Sequence, residues 1–139
     1  MKQVLVDAGP LAALFARRDQ FHLWTRARFS TIRPPLFTCE PVLTEAFHLL
    51  KSTSEGVGKL HSAWTQGIVR TEFSAEPHKA ALAGLMRQYR DVPMSLADAC
   101  LVRMSELNTD CEVMTTDRDF LVYRRLNRRV IPLIAPWQT

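Results

Sequence analysis

Short apolar runs that end at polar or turn-forming residues alternate along the chain with stretches of helical periodicity. Residues 3–6 (QVLV) predict a buried strand, and residues 7–10 (DAGP) form a turn in which Pro10 suits the first position of a helix. The same patterns predict further strands at 36–39, 68–73, 112–116 and 129–134. They predict helices at 10–15, 19–32, 41–51, 56–67, 75–90, 95–107 and 117–126.

The alternation of strands and helices predicts one α/β domain over residues 1–139. Strands that are separated by helices form parallel sheets, because the helix returns the chain to the same end of the sheet. We therefore expect a three-layer α/β/α fold, in which helices cover both faces of a central parallel β-sheet. A length of 139 residues suits a single hydrophobic core, and no repeat or linker divides the chain.

The composition is that of a globular protein with a basic surface. Hydrophobic residues make up 47% and charged residues 23%, and the formal net charge is +4. Only four of the 18 basic residues are lysines, and arginine grips phosphate with a planar fork of donors. The bias favours a nucleic-acid partner, although solubility alone is an equally good explanation of the charge.

The three cysteines indicate a reducing compartment. They show no CxxC spacing, and an odd number argues against a disulfide framework. No apolar stretch approaches the ~20 residues that cross a bilayer. Lys2 precedes an apolar run, but Asp7 interrupts that run and no small-residue cleavage site follows. We expect a cytoplasmic protein that neither enters a membrane nor is exported.

Two aspartates stand where predicted strands end. Asp7 directly follows the strand 3–6, and Asp117 directly follows the strand 112–116. Ligands of open parallel sheets bind beyond the carboxyl ends of the strands, so both carboxylates are expected to face one crevice. The alternative is that aspartate is simply common in turns and at helix caps.

Glu45 lies within the apolar stripe that is predicted for the helix 41–51. By helical spacing, that stripe consists of Val42, Ala46, Leu49 and Leu50. A buried carboxylate needs a cation, a hydrogen-bond donor or an exit to solvent, because burial of an unpaired charge costs several kcal/mol. Glu45 either serves a metal or sits at the edge of the stripe, paired with an arginine.

Asp98 lies in residues 96–102 (LADACLV), a run that carries no other charge. Ser95 is the predicted N-cap of this helix, so that Ser95 and Asp98 have the spacing of a capping box. Capping explains Asp98 fully in structural terms. It leaves open why the acid stands between two alanines, which would allow another group to approach.

A cluster of carboxylates requires a cation. Two unit charges ~4 Å apart repel by about 4 kcal/mol at an effective dielectric constant of ~20. Oxygen ligands without histidine or cysteine favour Mg²⁺ or Mn²⁺, which can activate water for phosphodiester hydrolysis. The sequence gives little support for nucleotide-cofactor chemistry, since the chain has no phosphate-binding glycine motif. The histidines show no metal-ligand pairing: they are His22, His48, His61 and His78.

Four segments of the chain carry a resemblance to a known family. VLVDAGPLAALF, PVLTEAFHLL, VPMSLADACLV and MTTDRDF follow one another in an order that resembles PIN-domain ribonucleases, in particular the VapC-like toxins of bacterial toxin–antitoxin pairs. The resemblance implies an RNA substrate, an antitoxin partner encoded beside the toxin, and a homodimer. It also implies an acidic metal-binding quartet, which matches Asp7, Glu45, Asp98 and Asp117 in this chain.

The resemblance implies different metal-binding roles for the four acids. Asp7 and Asp98 would be the core ligands of the metal, Glu45 would assist, and Asp117 would complete the site directly or through water. Asp119 is expected to face away or to help cap the following helix. Three hydroxyl residues are expected to hydrogen-bond the quartet or the substrate phosphate: Ser95, Thr115 and Thr116.

Two other function classes compete with a ribonuclease. A non-catalytic PIN-like module could bind RNA or a protein, although all four acids are present. A phosphoryl-transfer enzyme for small molecules usually has a second acid two residues after the first, where this chain has Gly9. One basic band could guide RNA, although an acidic antitoxin could cover it and a solvated surface explains it equally well: Arg124, Arg125, Arg128 and Arg129. A second candidate band is Arg17, Arg18, Arg26 and Arg28. Five aromatic residues could stack on unpaired bases, although core packing is the better explanation for most of them: Trp24, Trp64, Tyr89, Tyr123 and Trp137.

Overall fold

A computed structural model describes residues 2–138 of the chain. The strands are β1 Gln3–Val6, β2 Leu36–Phe37, β3 Val69–Arg70, β4 Cys111–Met114, β5 Arg124–Arg125, β6 Arg129–Val130 and β7 Leu133–Ile134. The helices are α1 Ala8–Phe15, α2 His22–Phe29, α3 Glu40–Leu49, α4 Ser54–Thr65, α5 Lys79–Gln88 and α6 Leu96–Leu107. Two 3₁₀ turns lie at Glu76–His78 and Arg118–Leu121.

Five parallel strands form the central sheet in the order β3-β2-β1-β4-β7. β1 and β4 lie side by side at its centre, with Gln3 opposite Cys111 and Val6 opposite Met114. Their apolar side chains are buried because helices pack over the sheet, α6 against β1 and β4 among them. The predicted three-layer α/β/α fold with a parallel sheet is confirmed.

The end of the chain differs from its prediction. The predicted strand 129–134 is two strands, since β6 pairs with β5 in a separate antiparallel hairpin and β7 joins the central sheet. The predicted helix 117–126 is only the 3₁₀ turn Arg118–Leu121. After it, Leu126 and Asn127 take φ angles of 52° and 70°, the left-handed conformation that tight hairpin turns require.

The helix predicted at 56–67 begins earlier, at Ser54, so that Gly56 lies inside α4. A β-carbon on Gly56 would stand 2.8 Å from the carbonyl oxygen of Phe15 and 3.1 Å from Leu50 Cδ2. Gly56 therefore lets α4 pack closely against α1. Among the described residues, no helix combines the length and the apolar character needed to span a bilayer.

Candidate active site

Asp7 is buried at the junction of β1 and α1. Its backbone N–H continues the sheet by donating to Met114 O at 2.9 Å. Its side chain caps α1, where Oδ1 accepts a hydrogen bond from Ala8 N at 2.8 Å, and only 6% of the residue is exposed. Burial raises the pKa of Asp7 to about 7, and the negative charges of Asp98 and Asp117 add to that rise.

Thr115 joins the two strand-end aspartates. Its buried hydroxyl donates to Asp7 Oδ2 at 2.7 Å and accepts from Asp117 N at 2.9 Å. The bond to Asp7 opposes the effect of burial on its pKa, because it favours the ionised carboxylate. Asp117 Oδ1 in turn accepts from Asp119 N at 2.9 Å and so caps the 3₁₀ turn. The cap of this turn is Asp117 rather than Asp119.

Asp98 lies in the first turn of α6 and is 8% exposed. The predicted cap is present, since Ser95 Oγ accepts a hydrogen bond from Asp98 N at 3.1 Å. The carboxylate Oδ2 accepts a second bond, from the Tyr123 hydroxyl at 2.8 Å. Burial is the main cause that raises the pKa of Asp98, and the charges of Asp117 and Glu45 raise it further.

Glu45 does not lie in the buried stripe of α3, so that part of the prediction is wrong. Its side chain is exposed, and Leu49, one turn further along the same side, is 53% exposed. Residues four apart share a helix face, and this face points to solvent. Glu45 nevertheless stays near enough to Asp98 for its charge to raise the pKa of that carboxyl. The buried side of α3 consists of Val42, Leu43 and Ala46.

The charges of the predicted quartet act on its two buried members: Asp98 and Asp117 raise the pKa of Asp7, and Asp117 and Glu45 raise that of Asp98. Within residues 2–138, none of the four forms a salt bridge, because the ion pairs there join Lys59 to Glu55, Lys79 to Glu76 and Arg103 to Glu106. The expectation that Glu45 pairs with an arginine is thus not met. The two buried carboxylates lie close to one another with no basic side chain to neutralise them.

The carboxylate oxygens of these acids are ligands that suit a hard divalent cation. As the side chains stand, no three His, Cys, Asp or Glu residues of the described part of the chain converge on one metal-sized point. Mg²⁺ does not need three, since it commonly binds through one or two carboxylates and keeps several waters. Asp7 and Asp98 could supply those carboxylates directly, with Asp117 and Glu45 acting through water.

Gly9 lies in close contact with the side chain of Thr116. A β-carbon at position 9 would collide with Thr116 Oγ1. A second acid two residues after Asp7 would therefore displace Thr116 from the site. This geometry argues against the phosphoryl-transfer pattern for small molecules.

Tyr123 is a site residue whose role the sequence did not indicate. The residue is 0% exposed, so it packs in the core, the alternative that the sequence favoured for most of the aromatic residues, and it cannot stack on an RNA base. Its ring packs edge-on against Tyr89 at 5.2 Å and against Phe120 at 5.1 Å between centroids. No local pattern identifies Tyr123, because its partner Asp98 lies 25 residues earlier in the chain.

The arginines of the hairpin are not equivalent. Arg125 is 8% exposed and reaches the carbonyl of Ser105 at 3.4 Å, so it cannot act as an RNA contact. Arg124 uses one nitrogen to bind three carbonyl groups of its own turn, those of Leu121, Val122 and Tyr123. Arg128 and Arg129 are exposed, close to the hairpin turn.

The hairpin turn lies at the end of α6 that is remote from Asp98. Leu126 N donates to Glu106 Oε2 at 2.7 Å, and Glu106 follows Asp98 by eight residues, or about 12 Å of helix. Arg128, which lies in this turn, is therefore far from the acidic site.

The comparisons with known proteins identify the family. The PIN domain profile matches residues 4–126, which is most of the chain and contains all four acids. The chain belongs to the PIN-domain family. The crystal structure of Mycobacterium tuberculosis VapC20, a toxin that cleaves the Sarcin-Ricin loop, matches this PIN domain with a TM-score of 0.75. The match has 21% sequence identity and covers 91% of this chain and 99% of that one, which confirms the fold. The comparison with curated proteins found no significant match.

Proposed function

We propose that this PIN domain is a metal-dependent endoribonuclease and the toxin of a toxin–antitoxin pair. The observation that carries the proposal is the pair of buried carboxylates, Asp7 and Asp98, at the carboxyl edge of the sheet. Neither has a basic partner among the described residues, and each accepts a hydrogen bond from a buried hydroxyl group. Buried charges of this kind need a cation.

Mg²⁺ or Mn²⁺ would be held by Asp7 and Asp98, with Glu45 and Asp117 at its periphery. When bound, the ion supplies Lewis-acid stabilisation of the phosphate charge and makes water a stronger nucleophile. The exposure of Glu45 suits this peripheral part, because its side chain is free to turn toward the metal or toward a water molecule. The presence of all four acids disfavours the alternative of a non-catalytic RNA- or protein-binding module.

Two hydroxyl groups keep the central carboxylates in place. Thr115 donates to Asp7 Oδ2, and Tyr123 donates to Asp98 Oδ2. Asp98 thereby keeps Oδ1 for a metal, whereas Asp7 Oδ1 also accepts from Ala8 N and would bind a metal through its second lone pair. Burial and the adjoining Asp98 raise the pKa of Tyr123, which keeps its hydroxyl protonated as the donor. Hydrogen bonds of this type orient metal ligands and raise metal affinity.

The family and the likeness to a VapC toxin support a proposed biological setting. RNA is the substrate class, and the partner is a cognate antitoxin protein; a homodimer completes the proposal. The three cysteines described by the structure are free and buried, in keeping with the reducing cytoplasm.

RNA cleavage by the purified chain tests the proposal. With Mn²⁺ or Mg²⁺ the wild type is expected to cut RNA, and Asp98→Asn is expected to lose this activity while keeping its circular dichroism spectrum. Asp110→Asn is the matched control, because Asp110 is exposed at the amino end of β4, on the opposite edge of the sheet. Full activity in Asp98→Asn would refute the assignment, and metal binding without cleavage would favour the non-catalytic module.

A further inference from the structure

Arg118 and Trp137 meet at the edge of the sheet where the acids lie. Arg118 directly follows Asp117, and Trp137 follows β7 by three residues. β4 and β7 are parallel neighbours, with Met114 opposite Ile134, so both segments leave the sheet at this edge. The guanidinium carbon of Arg118 lies 5.0 Å from the centre of the Trp137 ring.

In the part of the chain that the structure describes, Arg118 has no anionic partner. Within residues 2–138 its guanidinium forms no salt bridge and no hydrogen bond, and the residue is exposed. The half-buried Trp137 ring holds it by a cation–π contact, which leaves the edge of the guanidinium free. Arg124, in contrast, directs one guanidinium nitrogen, Nη1, to carbonyl groups of its own turn.

The strand order sets Arg118 to one side of the acids. Asp7 follows β1, Asp117 follows β4, and Trp137 lies beyond β7, the strand on the far side of β4. The helix α3 that carries Glu45 follows β2, on the other side of β1. A substrate that crosses this edge therefore passes the acids and then reaches Arg118.

We infer that Arg118, held over Trp137, binds a backbone phosphate of the RNA strand next to the bond that is cut. The inference rests on the proposed nuclease function and adds a substrate-binding residue to it. Four carboxylates repel a polyanion; a bound metal ion would offset that repulsion, and a cation beside the acids adds attraction for the strand. The planar fork of arginine matches two phosphate oxygens, and the ring limits the side chain to few conformations.

Binding of a short, unpaired, fluorescent RNA in the presence of a metal chelator tests the inference without cleavage. Arg118→Gln is expected to weaken binding roughly fivefold to tenfold and to lower the slope of log affinity against log salt by about 0.7. Arg33→Gln removes the same charge from an exposed residue before β2, at the opposite edge of the sheet, and is expected to leave both values unchanged. Equal losses in the two variants, or an unchanged slope in Arg118→Gln, would overturn the inference.

Variants of Trp137 distinguish the contribution of its ring to RNA binding from that of the Arg118 charge. Trp137→Phe keeps a ring beneath Arg118 and is expected to bind RNA nearly as the wild type does, whereas Trp137→Ala is expected to bind more weakly. Thermal unfolding identifies any variant that loses its fold, and the Phe variant keeps the test valid in that case. Weak binding by Trp137→Phe with an intact fold would contradict the role of the ring.

Kinetics and metal binding distinguish this inference from the proposed function. Arg118→Gln is expected to raise KM for RNA and to leave the Mn²⁺ affinity unchanged, because it is not among the proposed metal ligands. Absence of cleavage by the wild type would refute the nuclease itself. Cleavage by the wild type and by Arg118→Gln with equal KM would refute only the role of Arg118. Loss of binding to polyglutamate with unchanged RNA affinity would assign Arg118 to an acidic protein partner and would also overturn the inference.

Discussion

Replacement of Asp7 by asparagine is expected to stabilise the metal-free protein. The pKa of Asp7 lies at about 7 in the folded chain, against 3.8 for an unperturbed aspartate, chiefly because the carboxyl is buried. At about 1.4 kcal/mol for each pH unit, ionisation of Asp7 costs the folded chain about 4 kcal/mol more than the unfolded chain. An asparagine side chain at this position carries no charge and escapes that cost.

The stabilisation of the metal-free protein by Asp7→Asn depends on pH. The pKa is raised on folding, so the fold is favoured while Asp7 is protonated, and stability is lost as the pH rises from about 4 to about 7. Asparagine keeps an acceptor for Ala8 N but offers a donor to the Thr115 hydroxyl, which costs about 1 kcal/mol. The variant is thus expected to exceed the wild type by roughly 3 kcal/mol at about pH 8 and by less than about 1 kcal/mol at about pH 5.

Urea unfolding in the presence of a chelator, followed by circular dichroism at several pH values, measures this difference. Asp110→Asn is again the control, since the side chain of Asp110 is exposed and its replacement should change the free energy of unfolding little. An Asp7→Asn variant that is no more stable than the wild type at about pH 8, or whose advantage is constant with pH, would refute the reasoning.

Further predictions concern the metal and the groups around it. Mn²⁺ is expected to raise the melting temperature of the wild type more than that of Asp7→Asn, because it binds the native site; equal shifts in calorimetry would count against a shared site. Tyr123→Phe keeps the ring packing but loses the bond to Asp98, so titration calorimetry should show roughly tenfold weaker Mn²⁺ binding, and the melting temperature should fall because a buried carboxylate loses its donor. Thr115→Val leaves Asp117 N without its acceptor and should lower the free energy of unfolding by about 1–3 kcal/mol, a loss that Thr115→Ser should largely restore. Gly9→Ala should lower the melting temperature and the cleavage rate together, because the added methyl group displaces Thr116; Gly84→Ala, where nothing lies within 4 Å, is the control.

The sequence by itself determined the strands and helices near the site and the place of two acids in it. β1 and β4 are short, largely apolar runs; Asp7 directly follows β1, and Asp117 stands three residues after the end of β4, so the parallel pairing of these strands brings both acids to one edge. Ser95 and Asp98 show the spacing of a helix cap, and the cap forms as predicted. These features depend on neighbours within a few residues, and for that reason a local pattern reveals them.

Only the tertiary structure decided which face of α3 is buried and which groups hold the carboxylates. The helix turns Glu45 and Leu49 to solvent because the neighbouring elements cover its other side, and helical spacing alone does not fix that rotation. The bonds from Thr115 to Asp7 and from Tyr123 to Asp98 join residues 108 and 25 positions apart. Contacts over such separations arise from the packing of whole elements, which no short window of sequence contains.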